Sequence, residues 1–138
     1  MQKGAFKMSN EYKDWKNDIM TTLNDKMWEA EFLPEGWVDT FIPELKKELA
    51  DALGSYVDDF VVLQIKEKYG ALRMYWHWAD KDYADDEAKD LSALYNEIEA
   101  VIGKYERISE KTCVVCGADA TKFTTAWVLP VCDEHECF

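Results

Sequence analysis

Apolar positions recur along this chain first at helical spacing, then in alternation, then at helical spacing again. Tyr12, Trp15, Ile19, Leu23 and Met27 follow a cap at Ser9 or Asn10 and predict an amphipathic helix over about residues 10–30, which Pro34 and Gly36 interrupt. From Trp37, the set Phe41, Ile42, Leu45, Leu49 and Leu53 predicts a second helix, with Pro43 tolerated near its start and Gly54 at its end. The period then changes in DDFVVLQIKEKYGALRMYWHWAD. Val61, Leu63 and Ile65 share one face of a strand, and Leu72, Met74, Trp76 and Trp78 share one face of the next, with Tyr69-Gly70 at the turn. Leu91, Leu94, Tyr95, Ile98, Ile102 and Tyr105 trace a long third helix reaching Ser109. The expected fold class is α+β, with helices packed on a small antiparallel sheet.

Length and composition narrow this picture. The chain has 138 residues, enough for one core and few for two, and its 48% hydrophobic share suits a globular domain. Met8 offers an alternative start, so residues 1–8 are expected to form a flexible extension outside the core. Residues 9–110 then make the α+β body, and residues 111–138 a small module packed on it as part of a single domain. No signal peptide and no apolar run of membrane-spanning length is present, which predicts a cytoplasmic protein with no membrane partner. A formal charge of −12 disfavours a surface that tracks phosphates, because carboxylates repel them.

The chemistry concentrates at one end. All 4 cysteines, Cys113, Cys116, Cys132 and Cys137, fall within TCVVCGADATKFTTAWVLPVCDEHECF together with His135. Cys113 and Cys116 form C-x2-C followed by Gly117, and Cys132 and His135 repeat the spacing 15 residues on. Three thiolates and an imidazole are the donors that tetrahedral Zn²⁺ takes, so Cys113, Cys116, Cys132 and His135 are the expected ligands of one structural zinc. Cys137 is the competing fourth ligand, with His135 then beside the site. Disulfides are disfavoured in a cytoplasmic chain. Four protein ligands leave no position for water or substrate, and a zinc deaminase pattern is missing: His77 precedes Trp78-Ala79, and Pro130-Val131-Cys132 lacks the second cysteine. The fold expectation therefore adds a zinc knuckle or ribbon, with Thr124 to Leu129 extended because KFTTAWVLPV is rich in β-formers.

Four stretches, GWVDTFIPELKKEL, LQIKEKYGALRMYW, YERISEKTCVVCGADA and WVLPVCDEH, together resemble a family of small uncharacterised proteins of bacteriophages and bacteria. The likeness spans residues 36 to 135 and rests on Gly36-Trp37, the run Lys66 to Arg73, Glu106, Ser109, Cys113, Cys116, Gly117, Trp127, Cys132 and His135. Tyr69 and Ala126 depart from the pattern, which more often has phenylalanine and glycine there. The resemblance implies a zinc site and a phage or prophage setting, and it supplies no reaction.

Other constellations have a plain reading beside a sharper one. DKDYADDEAKD is not a calcium loop: counted from Asp80, the sixth position is Asp85 rather than glycine and the twelfth is Leu91. Its acids complement the dipole of the third helix, or else Asp80, Asp82, Asp85, Asp86 and Asp90 form a surface that imitates nucleic-acid phosphates. Lys66, Lys68 and Arg73 flank the hairpin turn, either paired with local acids or able to hold an anion. Trp76 and Trp78 belong with Leu72 and Met74 in the core, leaving His77 exposed on the opposite face.

Two functions follow as expectations, neither of them enzymatic. One is a zinc-stabilised phage protein that binds a host protein, such as a nucleic-acid-processing or defence enzyme, through the five aspartates, with Tyr69 and Arg73 as a second contact and no direct nucleic acid. The other is a nucleic-acid-binding accessory protein that uses the zinc module and the hairpin cations. Net charge favours the first.

Overall fold

The computed structural model describes residues 17–135. Tyr12, Trp15, the expected 1–8 extension and Cys137 lie outside the described residues.

Helix α1 covers residues 17–26 and turns its Ile19, Leu23 and Met27 stripe into the core. The expected α-helix does not run on to residue 30. At Trp28–Phe32 the chain tightens into a 3-10 helix, and the buried positions change step from 19, 23, 27 to 27, 30, 33. A helix of three residues per turn eclipses positions three apart, so Ala30 and Leu33 keep facing inward.

The second helix is divided. A single turn, α2 (Glu35–Val38), carries Trp37, and α3 (Ile42–Leu53) carries Leu45, Leu49 and Leu53. Pro43 in the first turn of α3 explains the break. Its ring would strike the Asp39 carbonyl if one helix ran through, whereas near a helix start its missing N–H costs nothing. Gly54 ends α3 with φ 53°, and a 3-10 segment, Gly54–Asp59, leads into the sheet.

Strands β1 (Phe60–Lys68) and β2 (Ala71–Trp78) form an antiparallel hairpin. Tyr69 and Gly70 both have positive φ, 53° and 86°, the pattern of the two-residue turn whose twist suits a hairpin. The β2 face is as expected, with Leu72, Met74 and Trp76 buried and His77 exposed. The β1 face is not. The register skips between Val62 and Gln64, so Leu63 is a bulge residue, 59% exposed. Phe60 and Val62 oppose Trp78 and Trp76 before the bulge, while Ile65 and Glu67 oppose Met74 and Leu72 after it. One extra residue thus moves the inward set from even to odd positions.

Helix α4 (Asp85–Ser109) packs on β2 and on α3, burying Leu91, Ile98, Ile102 and Tyr105. Asp85, Asp86 and Glu87 occupy its first turn, where negative charge offsets the helix dipole. At its far end Ser109 is fully buried; its hydroxyl accepts from the Leu72 amide at 2.8 Å and donates to the Glu106 carbonyl at 2.6 Å. That bond satisfies an outward-facing amide of β2, which would otherwise be buried without a partner.

The remaining chain forms the ribbon β3 (Lys122–Phe123) and β4 (Pro130–Val131), paired with each other and not with the main hairpin. The expected extension of Thr124 to Leu129 is not found. These residues make a closed loop, in which the Thr124 amide donates to the Leu129 carbonyl and the Leu129 amide to Thr124 Oγ1, each at 2.9 Å. A threonine hydroxyl that serves as a local acceptor outweighs β propensity here. Cys113, Val114, Val131 and Cys132 join the same buried cluster as Trp37, Leu45 and Leu72. No helix among the described residues is long and apolar enough to cross a membrane.

Candidate metal centre

Two short segments bring four donors together. Leaving α4, the chain turns tightly through Cys113 to Gly117: the Gly117 amide donates to the Cys113 carbonyl at 3.0 Å, and Gly117 takes φ 81°, which a glycine adopts at no steric cost. The second segment leaves β4 and closes a 3-10 turn, Asp133–His135, with the His135 amide on the Cys132 carbonyl at 3.1 Å. Val114 donates to Pro130 and Thr121 to Val131, so backbone bonds fix one segment against the other.

The donor atoms of Cys113, Cys116, Cys132 and His135 all lie within 4.8 Å of one another. Zn–S bonds of about 2.3 Å and Zn–N bonds of about 2.0 Å at tetrahedral angles require edges of about 3.8 Å between sulfurs and about 3.5 Å between sulfur and nitrogen. Cys116 Sγ and Cys132 Sγ stand 3.7 Å apart, and Cys113 Sγ and His135 Nδ1 stand 3.6 Å apart. Cys132 Sγ to His135 Nδ1 is the tighter edge, at 3.1 Å. The group can therefore hold one metal ion, and its donor set is the one expected for zinc.

The site is also prepared for anionic sulfur. Burial pushes the Cys113 thiol up, but the amides of Cys116, Cys132 and Val115 and the His135 ring outweigh it, and the thiol falls to about 6. Cys132 moves the other way, raised by burial and by the neighbouring sulfurs of Cys116 and Cys113 against the Glu134 amide. Three sulfurs this close repel as thiolates, and a cation at their centre relieves that repulsion. Cys113 and Cys132 are buried, His135 is half-buried, and Cys116 faces solvent.

Two glycines seat the centre on the body. The Gly36 amide donates to the Val114 carbonyl at 2.9 Å, and the Trp37 indole donates to the Thr112 carbonyl at 3.0 Å. A Cβ on Gly36 would lie 2.1 Å from the Cys113 carbonyl oxygen and 2.7 Å from the Gly117 amide nitrogen. A Cβ on Gly117 would meet Thr40 at 2.2 Å. The Gly-Trp pair and the Cys-x-x-Cys-Gly turn are thus two halves of one backbone contact. At the hairpin tip, a Cβ on Gly70 would lie 2.4 Å from the Val128 carbonyl oxygen, so the loop between β3 and β4 rests on the β1–β2 turn.

The other singled-out residues sit elsewhere. Asp80, Asp82, Asp85, Asp86 and Asp90 are all exposed at the open end of the hairpin and the start of α4, and Tyr56 donates to Asp90 at 3.2 Å. Tyr69 and Arg73 lie at the turn end, roughly 25 Å away by the rise of the strands between. The two sets do not form one surface. The hairpin cations are engaged: Arg73 reaches Glu106 at 3.5 Å, Lys66 lies over the Tyr75 ring at 5.8 Å and Lys68 over Tyr69 at 5.6 Å. Sequence reading missed Trp28 and Phe32, which stand 60% and 79% exposed and meet edge to face at 6.1 Å. Their signal was present, since both fall off the Ile19, Leu23, Met27 stripe.

Compared with protein-family models, curated proteins and solved structures, the chain matches none.

Proposed function

We infer that the four donors bind one structural Zn²⁺ and that the protein acts by occupying a basic protein partner through its acidic pole. Asp80, Asp82, Asp85, Asp86 and Asp90 carry this reading, since all five are exposed on a scaffold pinned from beneath. Below them Lys81 bonds the buried Asp59 at 2.8 Å, and the Trp78 indole donates to the Leu91 carbonyl at 3.2 Å. An exposed array of carboxylates presents the charge that a phosphate-binding protein surface recognises. Four protein donors leave the metal no open position, so the ion holds structure while the protein acts by binding. The phage setting, with a host nucleic-acid or defence enzyme as partner, rests on the resemblance described above. The alternative, direct nucleic-acid binding through the zinc module and the hairpin, is opposed by the net charge of −12, and at the hairpin Arg73 is already paired with Glu106.

Changing the five aspartates to asparagine is expected to weaken the partner captured from host lysate by about tenfold or more, equivalent to about 1.4 kcal/mol. Affinity should also fall as salt is raised, because exposed charges are screened beyond about 8 Å at physiological ionic strength. Titration calorimetry at two salt concentrations checks both. Unchanged affinity in the variant, or a salt-sensitive complex with generic DNA, would sink the acidic-pole reading.

A further inference from the structure

On the side of the molecule where the 3-10 helix meets β1, Phe32 stands as a ridge between two open cavities. One, of about 410 Å³, is lined by Trp28, Leu33 and Ile65 with Glu29 and Glu67. The other, of about 430 Å³, is lined by Pro34, Val115 and Leu129 with Glu35 and Glu67. Phe32 and Glu67 border both, so the two make one groove that runs toward the metal centre. The exposed aromatic pair is flanked by a first cavity of mixed polar and apolar lining and a second that is mainly apolar, a concave setting of the kind that binding sites use.

The charges around the groove select its occupant. Three carboxylates, of Glu29, Glu35 and Glu67, stand against one lining cation, Lys66, whose ammonium is drawn over the Tyr75 ring. Glu29 accepts from the Ile65 amide at 3.2 Å and Glu67 from the Gly70 amide at 2.8 Å, which fixes two of the carboxylates on the rim. A second copy of a chain with a net charge of −12 would bring like charge to this rim. We propose that the Phe32 groove is a docking site for an extended cationic peptide segment, which places one bulky apolar side chain in each cavity and its basic residues against Glu35 and Glu67. The site is separate from the acidic pole and does not depend on it.

The test uses the zinc-loaded full chain and a fluorescein-labelled octapeptide of alternating Lys and Leu, read by anisotropy, beside Lys–Ser and Glu–Leu counterparts. Saturable binding of the Lys–Leu peptide alone is expected. Phe32→Ser, a change at an exposed position, should weaken it at least tenfold. Glu67→Gln keeps an acceptor for the Gly70 amide, and it should weaken binding severalfold with a smaller salt dependence. The paired change Asp85→Asn with Asp86→Asn should leave binding as it was. No saturable binding, equal binding by the Lys–Ser peptide, or an unaffected Phe32→Ser variant would each overturn the proposal. So would loss of binding on changing Asp85 and Asp86 alone, or a dimer in sedimentation that Phe32→Ser abolishes.

Discussion

Cys113→Ser is expected to reduce bound zinc from about one ion per chain to a trace and to unfold the segment from Thr112 to His135. The Cys113 sulfur is fully buried, and although burial pushes its thiol up, the amides of Cys116, Cys132 and Val115 hold it down to about 6, which favours the thiolate that a cation needs. A serine hydroxyl in its place keeps its proton and offers the metal little. Structural zinc stabilises small finger peptides by about 10–16 kcal/mol at pH 7, far more than the ribbon of two-residue strands can supply alone. Elemental analysis after desalting and amide exchange across residues 112–135 measure the two effects. Cys137→Ser should leave zinc near one per chain while His135→Ala lowers it; the reverse order would give the fourth position to Cys137. Full zinc content in Cys113→Ser would refute the assignment of the centre.

Gly36→Ala is the second change with a large expected effect. The three atoms nearest an added methyl all belong to the backbone of the cysteine turn, at 2.1, 2.7 and 2.9 Å, so no side chain can swing aside. Either α2 lifts from the cysteine turn or the turn deforms, and the bond from the Trp37 indole to the Thr112 carbonyl is strained. A loss of about 3 kcal/mol or more is expected, lowering the melting temperature by about 10 °C. Gly103→Ala is the matched control. Within α4 its methyl would approach only the end of the Arg107 side chain, at 3.5 Å, and alanine suits a helix interior better than glycine, by about 1 kcal/mol. Equal melting temperatures for the two variants would show that the close approach at Gly36 is not a constraint.

The four-donor cluster was legible because chemistry fixes both the type and the spacing of such donors, and the long helix was legible because Leu91, Ile98, Ile102 and Tyr105 keep one period throughout. The bulge was not. Phe60, Val61, Val62 and Leu63 are all apolar, so both phases of alternation read equally well, and only the register against Trp76 and Trp78 decides between them. The change to a 3-10 helix was written in the spacing of Met27, Ala30 and Leu33, yet a helical template tolerant of three or four residues absorbs it. The extended reading of Thr124 to Leu129 failed because propensity is a weak guide where a side-chain hydroxyl closes the loop. The groove beside Phe32 belongs to no element, and it exists only where the 3-10 helix, β1 and the β3–β4 loop come together.

The bond from the Trp37 indole to the Thr112 carbonyl spans 75 positions. Closing a flexible loop of that length costs roughly 4 kcal/mol of chain entropy, which must be met before the contact gives anything back. A polypeptide still emerging from the ribosome, with residues up to 110 outside, has α2 and α3 but nothing to lay against Gly36. The Gly36 and Trp37 contacts stay unmade until residues 112–117 have been synthesised, and the four donors meet only once His135 has followed. The ion would then act as the latch of maturation, and the yield of folded protein in a cell should follow the supply of zinc.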